Sequence, residues 1–154
     1  VSAAGGIHVI LRTAWVFSAH GRNFVRTMAR LGVEREDLQV VADQIGGPTP
    51  ADALARACLH IARALRGTPE RRGVYHFVGT PWVSWAGLAR AVMQRAALDC
   101  RVSDIATADY PTPSRRPLNS RLDCSSTEQA FGVSQPDWRM GLDRVLAELK
   151  DQQG

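Results

Sequence analysis

The sequence predicts an α/β layer fold with parallel strands, and three observations carry that prediction. Short apolar runs rich in branched side chains alternate with longer segments whose apolar residues recur every three and four positions. All but the last of these longer segments open on a recognisable helix cap. Turn formers collect at the carboxyl ends of the short runs, where sheets of this kind hold ligands.

Val9-Ile10-Leu11 is too short and too branched for a helix and reads as a strand buried on both faces. It meets Arg12, Thr13, Ala14 and Trp15, so Thr13 and Trp15 stand where a buried scaffold hands over to a binding site. A large aromatic that merely caps a core is the plainer account of Trp15. Asn23 is an N-cap for a helix over Phe24–Leu31, with Phe24, Met28 and Leu31 on one face and Gly32 placed to end it. Leu38–Val41 is a short strand running into Ala42–Pro50, a stretch of turn formers that carries Asp43 and Gln44.

Thr49-Pro50-Ala51-Asp52 sets a hydroxyl at a cap, proline at the first helical position and a carboxylate at the third, a helix start. Leu54, Ala57, Cys58, Ile61, Ala62 and Leu65 then form its apolar stripe, which stops near Gly67. Gly73–Gly79 is a strand bounded by glycines. Ser84 caps a third helix with Trp85, Leu88, Ala89, Val92, Met93 and Ala96 inward. Arg101–Ile105 is one more short strand, Tyr110–Pro117 an extended proline loop with Arg115 and Arg116, and Ser120–Asp123 an edge strand. Ser125-Ser126-Thr127-Glu128 repeats the capping-box pattern ahead of a short helix that Gly132 stops. Trp138, Leu142, Val145, Leu146 and Leu149 mark the last helix, and residues 151–154 should fray.

The chain of 154 residues is one domain's worth, able to bury roughly 70% of its extended surface. No apolar run reaches the roughly 18 residues that a membrane span requires. Val1–Gly6 has neither an initiating methionine nor the charged and apolar regions of a secretory signal, and reads as a cut end. Three cysteines without a Cys-x-x-Cys pair point to reduced thiols and a cytoplasmic setting. The net charge of +4 rests mostly on arginine, which favours bidentate contact with phosphate or carboxylate and so an anionic ligand. No aromatic-interleaved basic patch or known module supports nucleic-acid binding.

Neither a Gly-x-Gly-x-x-Gly loop nor a Gly-x-x-x-x-Gly-Lys loop is present, and there is no Tyr-x-x-x-Lys. Lys150 is the only lysine, so a lysine-assisted mechanism within this stretch is excluded. His8, His20, His60 and His76 lack metal-ligand spacing. The segment with Arg115, Arg116, Asn119 and Ser120 suits a phosphate flanked by sugar hydroxyls; a solvated charged loop is the alternative.

Together these residues resemble the carboxy-terminal half of the dTDP-4-dehydrorhamnose reductases, extended members of the short-chain dehydrogenase/reductase superfamily. The resemblance rests on Arg12–Phe17, Asn23-Phe24, Val41–Gln44 with Gly47–Thr49, Gly73–His76, Tyr110–Pro113 with Arg116-Pro117, Asn119–Asp123 and Trp138. It implies the later part of a Rossmann-type parallel sheet, near 7–17 and 73–79, and a small substrate-binding part over 36–50 and 82–154. It implies reduction of the C4 ketone of dTDP-4-dehydro-L-rhamnose to dTDP-L-rhamnose by a reduced nicotinamide cofactor, usually NADPH (or NADH), with the catalytic Tyr and Lys and the glycine-rich loop in an amino-terminal half that this stretch lacks.

By position in the resemblance, Trp15 is the tryptophan that packs on the hexose. Arg116, Asn119 and Ser120 face the nucleotide sugar, Thr13 lies toward the cofactor, and Asp52 and Glu148 fall where some members hold Mg2+ between subunits of a homodimer. Asp52 departs from the family by being aspartate rather than glutamate. A non-catalytic homologue acting as a regulatory subunit is the alternative to an enzyme, and half a Rossmann sheet should leave strand edges that invite association.

Overall fold

In the computed structural model the described residues are 3, 5–110 and 116–152. Their elements alternate as the sequence leads one to expect. They are β1 (Val9–Arg12), β2 (Val16–Phe17), α1 (Phe24–Glu34), β3 (Asp37–Val41), β4 (Ile45–Gly46), β5 (Thr49–Pro50), α2 (Ala51–Gly67), β6 (Gly73–His76), β7 (Val83–Ser84), α3 (Trp85–Ala96), β8 (Arg101–Ile105), β9 (Asn119–Ser120), α4 (Ser125–Phe131) and α5 (Trp138–Asp151). Strand pairing is parallel between β1 and β6, β2 and β5, and β3 and β8. A three-stranded patch has the order β7-β4-β9, in which β4 runs antiparallel to β7 and parallel to β9.

Caps account for the helix starts that matter to the site. The Asn23 side chain accepts the Arg26 N–H at 3.1 Å, and Ser84 accepts that of Gly87 at 3.0 Å. Each meets an otherwise orphaned amide at the first turn. The main core lies where α1, α3 and α5 pack with β3 and β8, around Val25, Met28, Leu38, Leu88, Val92 and Leu142. A smaller cluster of Ala53, Ala57 and Phe77 joins α2 to the β1–β6 pair. Cys100 and Cys124 are buried free thiols, and burial raises both above the usual thiol range.

Five local expectations are corrected. Gly32 does not end α1, which runs on to Glu34; a Cβ there would sit 2.5 Å from Met93 Sδ, so glycine serves the close approach of α1 to α3. The helix expected to be capped by Thr49 starts on Pro50 without any side-chain cap, because the Thr49 hydroxyl is engaged elsewhere. Its buried face is Ala53, Ala57 and Ile61; Ala57 and Ile61 are inward as expected, while Cys58 and Ala62 are exposed, so the inward stripe is narrower and leans toward Ala53. The start of α4 is held by Asp123, whose carboxylate accepts the Ser125 N–H, and the Glu128 side chain accepts from Ser134 rather than closing a capping box. The edge strand near Ser120 is only Asn119–Ser120.

Candidate functional site

The parallel pair β1–β6 points its carboxyl ends at the turn Thr13-Ala14-Trp15. Trp15 has φ 51°, a left-handed conformation that costs a non-glycine residue about 1–3 kcal/mol. Thr49 holds that turn. Its N–H donates to the Trp15 carbonyl at 3.0 Å, its hydroxyl donates to the Ala14 carbonyl at 2.8 Å, and the same oxygen accepts the Gly79 N–H at 3.3 Å. Strain over-determined by surrounding bonds is what a ligand-facing turn displays.

The Trp15 indole is half-buried and stacks on Trp85 with ring centroids 3.6 Å apart and planes inclined by 13°. Phe24 closes against Trp85 at 4.5 Å. Gly46 lies against the Trp15 ring, and in β4 it pairs with Ser120 of β9 as Ile45 does with Asn119. The fold therefore brings Trp15, Gly46 and Ser120 into one place from three stretches of chain. The Asn119 side-chain oxygen accepts from the Arg121 backbone and guanidinium at 3.1 and 3.0 Å, which leaves its amide donors for other partners. Arg116 is exposed, just before β9, while Pro111–Arg115 lie outside the described residues.

The base of the arginine segment is anchored by residues that sequence reasoning named only as potential ligand readers. Asp43 accepts the Thr107 N–H at 3.0 Å and its hydroxyl at 2.6 Å, and the buried Gln44 donates to the same hydroxyl at 3.0 Å. The Thr107 hydroxyl and backbone N–H hold the Asp43 carboxyl below the ordinary aspartate range. Trp85 and Gly46 are the other contributors missed: Trp85 fits its helical apolar stripe and Gly46 fits a turn, so spacing gives neither away.

Thr13 stands apart. Its hydroxyl is buried and has no hydrogen-bond partner among the described residues. Such a group costs about 1–3 kcal/mol unless something completes it. At the carboxyl end of a parallel strand, this donor and acceptor fits a polar ligand or cofactor edge supplied from outside the described residues. Two clefts, of about 920 Å³ between α1, the end of α3 and α5 and about 300 Å³ between α2 and the segment that follows α4, are lined by other residues.

Asp52 and Glu148 do not fit a shared divalent cation as they stand. Burial works to raise the Asp52 carboxyl, but the Arg56 guanidinium, the Ala53 N–H and Arg144 outweigh it and hold it below the usual range. Arg56 and Arg144 contact it at 2.9 and 3.1 Å. Glu148 instead faces His20 at 3.0 Å. No group of three or more His, Cys, Asp or Glu side chains poised for a metal occurs among the described residues. A magnesium ion would have to displace two guanidinium groups from Asp52, and no role is derived for it.

Parallel strands thus bring a strained indole, an uncompleted hydroxyl and a polar strand together at one end of an α/β fold. The UDP-glucose-4-epimerase of Stenotrophomonas maltophila, solved with bound NAD, shares the fold at TM-score 0.76 over 99% of this chain and 50% of its own, at 14% identity. The chain belongs to the RmlD substrate binding domain family, whose model matches residues 1–151. It is 41% identical to the dTDP-4-dehydrorhamnose reductase of Sinorhizobium fredii over 97% of this chain and 52% of that protein. It is also 41% identical to one from Escherichia coli, over 94% and 50%. A dTDP-4-dehydrorhamnose reductase from Bacillus anthracis, solved in complex with NADP, matches at TM-score 0.81 and 33% identity over 96% of this chain and 50% of its own. The chain spans about half the length of the curated relatives it matches.

Proposed function

We propose that this chain is the substrate-binding portion of a reductase that converts the C4 ketone of dTDP-4-dehydro-L-rhamnose to the alcohol of dTDP-L-rhamnose. The observation that carries the reading is the turn Thr13–Trp15: an uncompleted buried hydroxyl followed by a strained indole at the end of a parallel strand. Bound NADPH would supply the hydride. The residues of this chain bind and orient. Trp15 contacts the hexose, Ser120 and the Asn119 amide reach sugar hydroxyls or phosphate oxygens, and Arg116 faces the diphosphate. Thr13 completes its hydrogen bond against the cofactor or the groups that hold it.

The proton donor and the cofactor loop lie, in this proposal, in a preceding amino-terminal half that also pairs with β1. In the described residues β1 is bonded on one side only, to β6. Residues 7–17 and 73–79 then belong to the Rossmann sheet and 36–50 with 82–154 mostly to the substrate part. The free thiols support a cytoplasmic setting. No helix is long and apolar enough to cross a membrane among the described residues. The unpaired edge of β1 supports association of the isolated 154 residues, while a homodimer is the family-like assembly that sedimentation of the full-length protein would read.

The test is turnover. Full-length protein should oxidise NADPH when given dTDP-4-dehydro-L-rhamnose, and residues 1–154 alone should not. Turnover by the isolated 154 residues, or none by full-length protein that binds NADPH, would overturn the reading. The second result would favour a regulatory subunit.

A further inference from the structure

We propose that Trp85 is a positioning residue that holds Trp15 edge-on to the nucleotide sugar, so that the indole meets its ligand with its rim and N–H rather than with a ring face. The inference rests on the substrate reading above. It starts from the two surfaces of the Trp15 ring.

One surface lies under Trp85, at 3.6 Å and 13°. The other is found from Gly46. A Cβ built there would stand 2.6 Å from Trp15 Cε2, 2.9 Å from Cζ2 and 3.0 Å from Cδ2. A point nearest to a ring-fusion carbon, and only slightly farther from two of its bonded neighbours, lies above the ring plane and not beside its edge. The Trp85 ring already fills the space against its own face, so the Gly46 backbone lies over the ring fusion on the opposite face. The rim at the indole nitrogen stays open. The indole N–H has no acceptor among the described residues and, unlike the Thr13 hydroxyl, is not sealed from solvent.

Each member of this clamp is fixed from its own element. Trp85 is the first residue of α3, and Ser84 caps that helix, so the indole leaves from a set position. Phe24, the first residue of α1 behind the Asn23 cap, supports the far side of Trp85. Gly46 is fixed by pairing on both sides, to β7 and to β9. A left-handed backbone at Trp15 needs such bracing, because relaxation of φ would swing the ring. A ring braced on both faces presents one donor at one place, and a hexose hydroxyl or ketone oxygen is the matching acceptor. Ser120 of β9 pairs with Gly46, the residue that lies against the same ring.

The experiment uses full-length protein with Trp85→Ala, Trp85→Leu and Trp85→Phe, and Trp15→Phe, which keeps a stack but lacks the N–H. Steady-state constants for the nucleotide sugar and NADPH are measured separately, dTDP-L-rhamnose binding is titrated calorimetrically, and the circular dichroism couplet of the stacked indoles is followed. Trp85→Ala and Trp85→Leu should each raise KM for the nucleotide sugar about tenfold or more and leave KM for NADPH unchanged, since binding to one substrate is what they disturb. Trp85→Phe, able to stack, should recover to within about threefold. Trp15→Phe should weaken dTDP-L-rhamnose about tenfold although a ring is still present, as loss of one hydrogen bond to a bound sugar requires. The wild-type couplet should survive saturation with dTDP-L-rhamnose.

Disappearance of the couplet on saturation would overturn the proposal, because Trp85 would then be a lid that vacates the sugar's seat. Unchanged sugar constants in both Trp85→Ala and Trp85→Leu would overturn it too, with the substrate reading left intact. Wild-type protein that neither binds nor turns over the nucleotide sugar sinks the substrate reading and this inference together. Leucine keeps apolar volume, so it remains informative where alanine does not fold.

Discussion

Thr49→Val removes one oxygen and nearly nothing else. Thr49 is fully buried, and its hydroxyl donates to the Ala14 carbonyl at 2.8 Å while accepting the Gly79 N–H at 3.3 Å, with the Gly47 carbonyl also near at 3.1 Å. Valine matches the shape but leaves one half-buried carbonyl and one buried amide without their Thr49 partner. At about 1–3 kcal/mol for each unpaired group, partly relieved by relaxation, the loss should be about 2–4 kcal/mol. A domain of this size melts about 2–4 °C lower per kcal/mol, so thermal unfolding should fall by about 5–15 °C. A simple N-cap gives a different result, a loss of typically about 1 kcal/mol, with aspartate an acceptable replacement. Thr49→Asp separates the two accounts: a carboxylate cannot donate to the Ala14 and Gly47 carbonyls and would bury a charge. If calorimetry finds Thr49→Asp as stable as wild type and Thr49→Val down by only about 1 kcal/mol, a cap is the right description and the tie to Trp15 is wrong.

Gly46→Ala should destabilise by about 1–3 kcal/mol, the usual cost of overpacking, because its Cβ would lie 2.6 Å from a Trp15 ring that Trp85 prevents from retreating; an unchanged melt with an intact indole couplet would refute this. Acid should weaken the anchor under the arginine segment. The Asp43 carboxyl is held by Thr107 below its ordinary 3.8. Its contribution is therefore complete above that value and is lost as pH falls through the lower folded pKa. Melting from neutral pH to about pH 5 should not register it, acid unfolding below about pH 4 should, and Asp43→Asn should flatten that limb. Excess Mg2+ against EDTA should leave the melting temperature of the protein unmoved, since Asp52 is already paired with Arg56 and Arg144. Saturation at one hundred times Kd would add about 2.7 kcal/mol and be obvious. Thr13→Val should cost residues 1–154 no stability, because the hydroxyl it removes has no partner among the described residues, yet it should weaken NADP binding to full-length protein; a destabilised 154-residue chain would show that the hydroxyl is satisfied internally.

Much of the fold is legible because its signals are local. Asn23 and Ser84 announce α1 and α3 by residue type and position, and the structure returns both as caps with the expected amide partners. The strands Leu38–Val41 and Arg101–Ile105 can be found from their own residues, though their pairing with each other cannot. Errors arise where a residue serves a distant neighbour. Gly32 carries the signal of a helix end, yet it is glycine because Met93 and Leu98 of the α3 region press on it. Thr49 carries the signal of a cap, yet its oxygen is claimed by Ala14 and Gly79. In each case local chemistry proposes a use and a tertiary contact takes it over.

The site obeys the same division. That Trp15 stands at the end of a strand follows from the run Val9–Leu11 and the rule for parallel sheets. How the indole can be used depends on Gly46 and Trp85, which spacing places in a turn and on a core stripe. A ring with one open face would be a platform for a sugar, indifferent to small rotations. A ring clamped between a glycine and a second indole has lost that freedom, and the left-handed backbone that carries it is supportable only because Thr49, Gly46 and Trp85 converge on it. The strain at Trp15 and the glycine at position 46 are thus one requirement seen from two elements. Relaxing either should loosen the indole and so weaken the nucleotide sugar before it affects the cofactor.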